Sequence, residues 1–419
     1  MDFARIASKL REQIFRFSGE LSSGFPKVVQ RFMTEMLYGI QARQSVHLTE
    51  IARALGEKIA VKKTQGRLSR QLGRWWLWER LTERLVKMAA ARIQMDTLLV
   101  LDISDLSKKY AQKMEYLARV RDGSEKREGQ GYWTLQVIGT EVLSPRVVPL
   151  YGRLYSQRAP DHRSENVEIR RAINKVSTWS LGRGIWVLDR GGDRGELFHY
   201  LLDRKLRFIT RLRGDRHLET EEGRRLALEV AQRCPTLFLE YVTKEEEDKE
   251  RPLRLEVGFR RVRLPGRPEV LTLVVVRGLG QEPMMLLTDL AVKRSRKSVW
   301  HVVAGYLSRW RIEETIRFLK QSYQLEDVRL LTYVRLQNMM ALLQAVAYFT
   351  SVYLGLKMKL RVLARHVLKA AKRIFGIPDF RLYALADGIK HFLFNREKGV
   401  RIGLPPPKPR FIQRLLFNP

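Results

Sequence analysis

The spacing of hydrophobic residues divides the chain into a helical first part and a mixed second part. Over residues 1–95, apolar positions recur every three or four residues, which is typical of amphipathic helices. From residue 96 onward, three short apolar runs are followed by a helical pattern, a strand, a second helical pattern and another strand. This order predicts an α/β core whose first part spans residues 96–219.

Residues 220–295 interrupt that alternation. Four segments in this range alternate apolar and polar residues, and Gly and Pro turns separate them, which predicts an all-β insertion. The helical pattern returns over residues 296–356 and supplies the second part of the core. Residues 357–419 are basic and keep a helical spacing, so we predict a helical C-terminal region there.

One stretch of the helical first part has the pattern of a helix-turn-helix. The segment LTEIARAL, followed by Gly56, predicts a first helix and its turn, and KKTQGRLSRQL would begin the second helix. In that case residues 1–95 form a DNA-binding domain whose second helix faces DNA phosphates. The basic residues of this helix are Lys62, Lys63, Arg67 and Arg70. A plain helical bundle with a basic surface explains the same pattern about as well.

The segment YLSRWRIEETIRFLK carries a polar stripe along one face of a predicted helix. Four of its side chains are offset by three, four and seven residues, which places them on one face. These are Tyr306, Arg309, Glu313 and Lys320. Glu314 points about 100° away, because a helix turns once in 3.6 residues. The alternative interpretation is an ordinary solvated face on which Glu313 pairs with Arg317.

Two aspartates and this glutamate occupy positions suited to holding a ligand. Asp102 ends the first apolar strand and Asp189 ends the fourth, and open α/β sheets gather ligands at the carboxyl ends of their strands. Hard divalent cations prefer oxygen ligands, and a pair of such ions serves phosphoryl transfer on DNA well. Asp102, Asp189 and Glu313 meet this demand if the fold brings two strand ends and one helix face together.

The net charge of the chain restricts the kinds of molecule that it is expected to bind. The 419 residues carry a formal net charge of +33, and the excess of Arg and Lys runs along the whole chain. A field this positive predicts an extended polyanion as partner, and DNA or RNA is the obvious candidate. A protein of the membrane surface and a ribosome-like binder are the alternatives that charge alone leaves open. The length of the chain predicts more than one domain.

Cysteine content and hydropathy favour a cytoplasmic protein. Cys234 is the only cysteine, so no disulfide framework and no Cys-based zinc site can form within the chain. The N-terminal segment has an amphipathic pattern rather than that of a signal peptide. Polar residues dilute the longest apolar run, residues 339–356, which we interpret as a buried helix rather than a membrane span. We therefore expect no membrane partner.

Taken together, these segments resemble the insertion-sequence transposases of the DDE class. YLSRWRIEETIRFLK matches, without a gap, the Tyr-x2-Arg-x3-Glu-x6-Lys signature of one group of that class. VLDISDLS and WVLDRGGDRGELFHYL resemble the segments that carry the first and second family aspartates. The resemblance covers roughly residues 97–350. It implies an α/β fold with an RNase H-like catalytic core, interrupted by a β insertion before the glutamate.

The resemblance also implies roles for individual residues. Asp102, Asp189 and Glu313 would bind two Mg²⁺ ions, for which Mn²⁺ can substitute. Arg309 and Lys320 would contact DNA phosphates near the cleaved end, with Tyr306 beside them. The implied reaction is hydrolysis at the ends of a mobile element, followed by attack of the freed 3′-hydroxyl on target DNA. The implied partners are double-stranded DNA, both element ends and target, and a second copy of the chain in a synaptic dimer.

We therefore predict a metal-dependent DNA transposase, cytoplasmic and associated with the nucleoid of a prokaryote. Two alternatives share its surface or its core. One is a catalytically silent DNA-binding protein derived from a transposase, which the three acids disfavour, since a mere binder has no use for carboxylates in a basic groove. The other is a structure-specific nuclease, because hydrolysis and strand transfer use the same metal site. The large helical N-terminal region favours recognition of DNA ends.

Overall fold

The computed structural model describes residues 3–121, 128–142, 144–246, 249–355, 365–367 and 381–394. Its buried hydrophobic residues form one contiguous cluster that runs from the N-terminal helices through the sheet to the last helix. None of the helices in these ranges is both long and apolar enough to cross a membrane.

The first part of the chain is helical, as the spacing predicted. Its helices are α1 (Phe3–Leu21), α2 (Lys27–Arg43), α3 (Leu48–Leu55), α4 (Val61–Leu72) and α5 (Leu77–Ala90). Gly56 ends α3 in a left-handed conformation, with φ of 59°, which a residue without Cβ adopts readily. Helices α3 and α4 pack together on either side of this turn, so the structure contains the two helices of the predicted helix-turn-helix.

The strands and the remaining helices follow in alternation. The strands are β1 (Leu98–Ser107), β2 (Ala118–Arg121), β3 (Glu128–Thr140), β4 (Val147–Tyr155), β5 (Ile185–Leu188), β6 (Phe208–Arg211), β7 (His217–Thr220), β8 (Gly223–Leu226), β9 (Phe238–Glu246), β10 (Lys249–Val262), β11 (Leu271–Arg277) and β12 (Met284–Thr288). The helices are α6 (Glu165–Ser180), α7 (Gly195–Asp203), α8 (Ala227–Gln232), α9 (Arg296–Leu307), α10 (Trp310–Ser322), α11 (Tyr333–Ser351) and α12 (Leu382–Phe394).

Ten of these strands form one mixed sheet, in the order β2-β3-β1-β5-β6-β12-β11-β10-β9, with β4 paired to β3. Only β1 with β5 and β5 with β6 are parallel, and both connections contain a helix, as parallel neighbours require. The fold is thus α/β. Strand β1 lies near the middle of the sheet with β3 on one side and β5 on the other, which places its residues at the site described below.

The prediction that the insertion is all-β is wrong. Residues 227–232 form the short helix α8, because the segment ALEVAQ buries Ala227, Val230 and Ala231 at helical spacing. The strands of the insertion also continue the main sheet, since β12 pairs antiparallel with β6. The insertion therefore extends the core sheet sideways.

The apolar run near residue 345 is the buried helix α11, as predicted. Residues from Leu336 to Thr350 are all buried, and α11 contacts β4, α5, α2 and α4. The N-terminal helices are consequently packed on the core through α11. Of the predicted C-terminal region, residues 365–367 and helix α12 are described, and α12 packs on α2 and α1. The rest of residues 357–419 lies outside the described ranges.

Candidate active site

Asp102 and Asp189 lie side by side on neighbouring parallel strands. The register of β1 and β5 pairs Leu98 with Ile185 and Val100 with Val187, and continued by two residues it brings Asp102 next to Asp189. The prediction that Asp102 ends its strand is wrong, since β1 runs on to Ser107. Its antiparallel partner β3 continues the ladder to Ser107. Only the pairing of β1 with β5 stops short of Asp102. This side of β1 is therefore open to the site.

A short turn after β5 orients the carboxylate of Asp189. The backbone N–H of Gly191 donates to Asp189 Oδ1 at 2.8 Å, capping a turn of 3₁₀ helix. Arg194 holds this turn, since its Nε donates to the carbonyl oxygen of Gly191 at 2.7 Å and its Nη1 to Asn166 Oδ1 at 2.8 Å. Arg194 also pairs with Glu165. Asp189 therefore has a direction fixed by its own loop.

A cavity of about 220 Å³ opens beside the two aspartates. Besides Asp102 and Asp189, its lining includes Trp133 of β3, Glu165 at the start of α6 and Arg194. These last three residues were not predicted from the sequence. They come from separate segments of the chain, and no spacing in the sequence relates them to the aspartates.

The signature segment is not one continuous helix. Helix α9 ends at Leu307 and α10 begins at Trp310, so Tyr306 and Glu313 lie on different helices. The junction is tightened by bonds between residues three apart, from Arg309 N to Tyr306 O and from Ile312 N to Arg309 O. The hydroxyl of Ser308 donates to the carbonyl oxygen of Ala304, which supports the end of α9.

Arg309 links the first aspartate to the glutamate. Its Nη1 lies 3.5 Å from Asp102 Oδ2, and its Nη2 pairs with Glu313 Oε1. The guanidinium also lies 6.0 Å from the centre of the Tyr306 ring, which is buried. Three residues of the predicted stripe thus meet, although a helix break separates them. The side chain of Glu313 is 47% exposed.

Burial and nearby charges both act on the carboxyl group of Asp102. Burial raises its pKa to about 7, the Arg309 cation opposes the rise, and repulsion from Asp189 and Glu313 adds to it. Near neutral pH the Asp102 carboxyl is therefore poised between its charged and neutral forms.

The donor set suits a hard divalent cation. All three groups offer carboxylate oxygens, the ligands that Mg²⁺ prefers, and a cation would relieve the repulsion that raises the pKa of Asp102. Across the described ranges, no group of three or more His, Cys, Asp or Glu side chains is close enough together to hold a metal ion. The guanidinium of Arg309 pairs with both Asp102 and Glu313 and so lies between these two carboxylates.

Lys320 lies two turns after Glu313 on α10 and pairs with two acidic residues. Its Nζ is 3.0 Å from Glu326 and 3.6 Å from Asp105 on β1. Lys108, at the end of β1, donates to the carbonyl oxygens of Glu326 and Val328, the latter at 2.8 Å. Burial lowers the pKa of Lys108 to about 8. These contacts tie α10 and the turn after it to β1.

The two adjacent glutamates have different partners. Glu314 pairs with Arg317, so the pair between Glu313 and Arg317 considered for a solvated face is absent from the described structure. Burial raises the pKa of Glu314. Next to them, Arg311 is buried and donates to Thr140 Oγ1 at 2.8 Å and to the carbonyl oxygen of Glu141 at 2.7 Å. Arg311 anchors α10 to the end of β3.

The four basic residues of the predicted helix-turn-helix all lie on α4, but one is engaged within the protein. Lys62, Lys63 and Arg70 are exposed. Arg67 pairs with Glu35 and lies 2.8 Å from Glu57, and hydrogen bonding from Thr64 lowers the pKa of Glu57. The guanidinium of Arg67 therefore joins α4 to α2 instead of pointing outward.

The fold and the site define a class: an α/β protein of strong positive charge with two aspartates side by side on or after parallel strands and a glutamate linked to one of them through Arg309. The family model of the transposase DDE domain matches residues 106–350, more than half of the chain. The protein belongs to this transposase family. The matched range contains Asp189 and Glu313 and begins just after Asp102.

Comparison with solved structures gives a remote likeness. A chain of the piggyBac transposase synaptic complex with hairpin DNA, solved by cryo-EM, superposes with a TM-score of 0.43 and 10% sequence identity. The match covers 87% of this chain and 79% of that chain. A likeness of this strength carries no argument about the site. No curated protein is significantly similar to the chain.

Proposed function

We propose that the protein is an active, metal-dependent DNA transposase in which Asp102, Asp189 and Glu313 are the catalytic carboxylates. One observation carries the proposal: the register of β1 and β5 sets Asp102 beside Asp189, and Arg309 joins Asp102 to Glu313. Burying like charges together costs free energy, and a divalent cation bound between them would offset that cost. Membership of the transposase family supplies the reaction class.

The core that presents these acids is proposed to be RNase H-like. In support, the central strands run in the order β4-β3-β1-β5-β6, with only the last three mutually parallel. In this arrangement residues 1–95 recognise the ends of the element, and the insertion separates the two core segments. Two copies of the chain would hold two element ends together.

Asp102, Asp189 and Glu313 are the residues that would hold two Mg²⁺ or Mn²⁺ ions. When bound, such ions activate the attacking oxygen and stabilise the leaving oxygen of a phosphoryl transfer. Within the protein, the loop of Gly191 and Arg194 orients Asp189, and Arg311 fixes the helix that carries Glu313.

The basic residues of the site are proposed to bind the DNA backbone. Arg309, just before α10, pairs with Asp102 and Glu313, and Lys320 of α10 pairs with Asp105 and Glu326. DNA phosphates carry the same charge as these carboxylates, so both cations can exchange one anionic partner for another. Tyr306, packed under Arg309, would hold the guanidinium at the site.

The test is a cleavage and strand-transfer assay with DNA that carries the element's own ends, in Mg²⁺ and in Mn²⁺. Glu313→Gln should abolish cutting and joining while DNA binding persists, because it removes a proposed ligand. Glu314→Gln is the matched control, since Glu314 is the neighbouring acid and pairs with Arg317; it should stay active. If the wild-type protein binds the ends and neither cuts nor joins them, the chain is a binding protein. Cutting without joining would identify a nuclease.

A further inference from the structure

Some glycines within the described helices are required by packing, and Gly66 is not one of them. A Cβ on Gly39 of α2 would lie 2.5 Å from Ile51, and one on Gly305 of α9 would lie 3.1 Å from Ile209. A Cβ on Gly66 of α4 would meet only the tip of Arg70, at 3.7 Å, which is an ordinary contact. Since glycine weakens a helix relative to alanine, the interior of the protein does not explain Gly66.

The surroundings of Gly66 point to a partner outside the chain. Gly66 is four residues from both Lys62 and Arg70, so the three residues share one helical face. Lys62, Lys63 and Arg70 are exposed, and within the described ranges no acidic side chain pairs with them. Arg67 is turned inward to Glu35 and Glu57, which fixes α4 on α2. The result is a rigid cationic helix face with a glycine at its centre.

The position of α4 in the fold suits duplex DNA as that partner. Helix α4 follows α3 across the left-handed turn at Gly56, in the order of a helix-turn-helix. The second helix of this motif enters the major groove, where its first residues reach base edges. Val61, the first residue of α4, is 38% exposed, and an apolar side chain there can contact a thymine methyl group.

We propose that α4 lies in the major groove of duplex DNA and that Gly66 marks the point of closest approach between the helix backbone and the DNA. This deepens the proposed function and rests on it, since it assumes that the chain binds DNA. The missing Cβ allows the contact, and the flanking cations neutralise phosphates. Gly66 is then a determinant of sequence specificity. A methyl group there would weaken the sequence-specific complex with DNA and leave the non-specific attraction to DNA phosphates in place.

The test uses a pool of double-stranded DNA with a randomised core, in EDTA so that no cutting occurs. The wild-type chain first selects a sequence from the pool, and affinities are then measured for the selected duplex and for an unselected one. Gly66→Ala should lose about tenfold in affinity for the selected duplex, the size of losing one good base contact. Its affinity for the unselected duplex should stay within about twofold, because the cations remain.

Gly19→Ala is the matched control. Gly19 is also a helical glycine, and no atom lies within 4 Å of the position of its Cβ. Both alanine variants should melt at or above the temperature of the wild type, but Gly19→Ala should bind both duplexes as the wild type does. Equal affinity of Gly66→Ala and wild type for the selected duplex would overturn the proposal. So would selection of no sequence by a chain that binds DNA. A chain that binds neither duplex would overturn the proposed function itself.

A second measurement leaves Gly66 unchanged. Cys234, the only cysteine, is buried, so a Lys63→Cys variant can be labelled at one position with a DNA-cleaving iron chelate. Cuts centred within the selected sequence, with the offset typical of the major groove, would support the placement of α4. Cuts outside that sequence would overturn it.

Discussion

Replacing Asp102 by Asn should make the metal-free protein more stable above pH 7 while it removes a proposed metal ligand. The carboxyl group of Asp102 has a side-chain exposure of only 18% and lies near two further carboxylates. Its pKa rises from an ordinary value of 3.8 to about 7, chiefly because burial disfavours the charged form. Asn keeps the shape and can still accept the hydrogen bond from the N–H of Ile103.

The size of the effect follows from the rise in pKa. Each unit is worth about 1.4 kcal/mol, so ionised Asp102 destabilises the folded protein by up to about 4 kcal/mol above pH 7. Because the folded state holds its proton more tightly than the unfolded state, stability falls as pH rises from about 4 to about 7 and is then level. The advantage of Asp102→Asn should therefore grow by about 2–3 kcal/mol between pH 5 and pH 8.

The assay is urea unfolding in EDTA at four pH values from 5 to 8, comparing midpoints of wild type and Asp102→Asn. Asp96→Asn is the control substitution, because Asp96 is an exposed aspartate just before β1. A constant difference for Asp102→Asn, or a variant less stable than wild type at pH 8, would refute the assignment of a buried, electrostatically strained carboxyl.

Two further substitutions test the surroundings of the acids. Arg309→Met removes the cation that lowers the pKa of Asp102, so the fall in stability with pH should extend to a higher pH in the same urea experiment; an unchanged pH range would contradict this role. Arg311→Met leaves the hydroxyl of Thr140 and the carbonyl of Glu141 without their buried donor and should cost about 2 kcal/mol in unfolding free energy. Arg311→Lys should cost less, and equal melting temperatures for wild type and Arg311→Met would argue against the anchor.

The order of elements was predictable because it depends on local periodicity. The five N-terminal helices, the strand and helix alternation, and the buried helix α11 all follow from the spacing of apolar residues. The continuation of β1 past Asp102 was not predictable in this way, because the antiparallel ladder with β3 is a pairing between distant segments. The same holds for the join of β12 to β6, which makes the insertion part of the main sheet.

Part of the site could be predicted, and part depended on contacts that no spacing encodes. The three acids Asp102, Asp189 and Glu313 were selected from apparent strand ends and a helix stripe; the structure places Asp102 beside Asp189 and joins Asp102 to Glu313 through Arg309. The inward turn of Arg67 depends on Glu35, 32 residues earlier in the chain. The helix break at Ser308 depends on a side-chain bond and three-residue backbone bonds. Periodicity alone treats both as regular helix.

The arrangement around Arg309 bears on why carboxylates persist in so basic a chain. A protein that only binds DNA gains affinity from every cation on its surface and loses it to each acid in the groove. Here one cation, Arg309, is held between Asp102 and Glu313, and the pKa of Asp102 is still raised to about 7. Burial is the largest cause of that rise, and repulsion from Asp189 and Glu313 adds to it. A divalent cation would neutralise these acids, so the proposed catalytic role would explain their presence in so basic a chain.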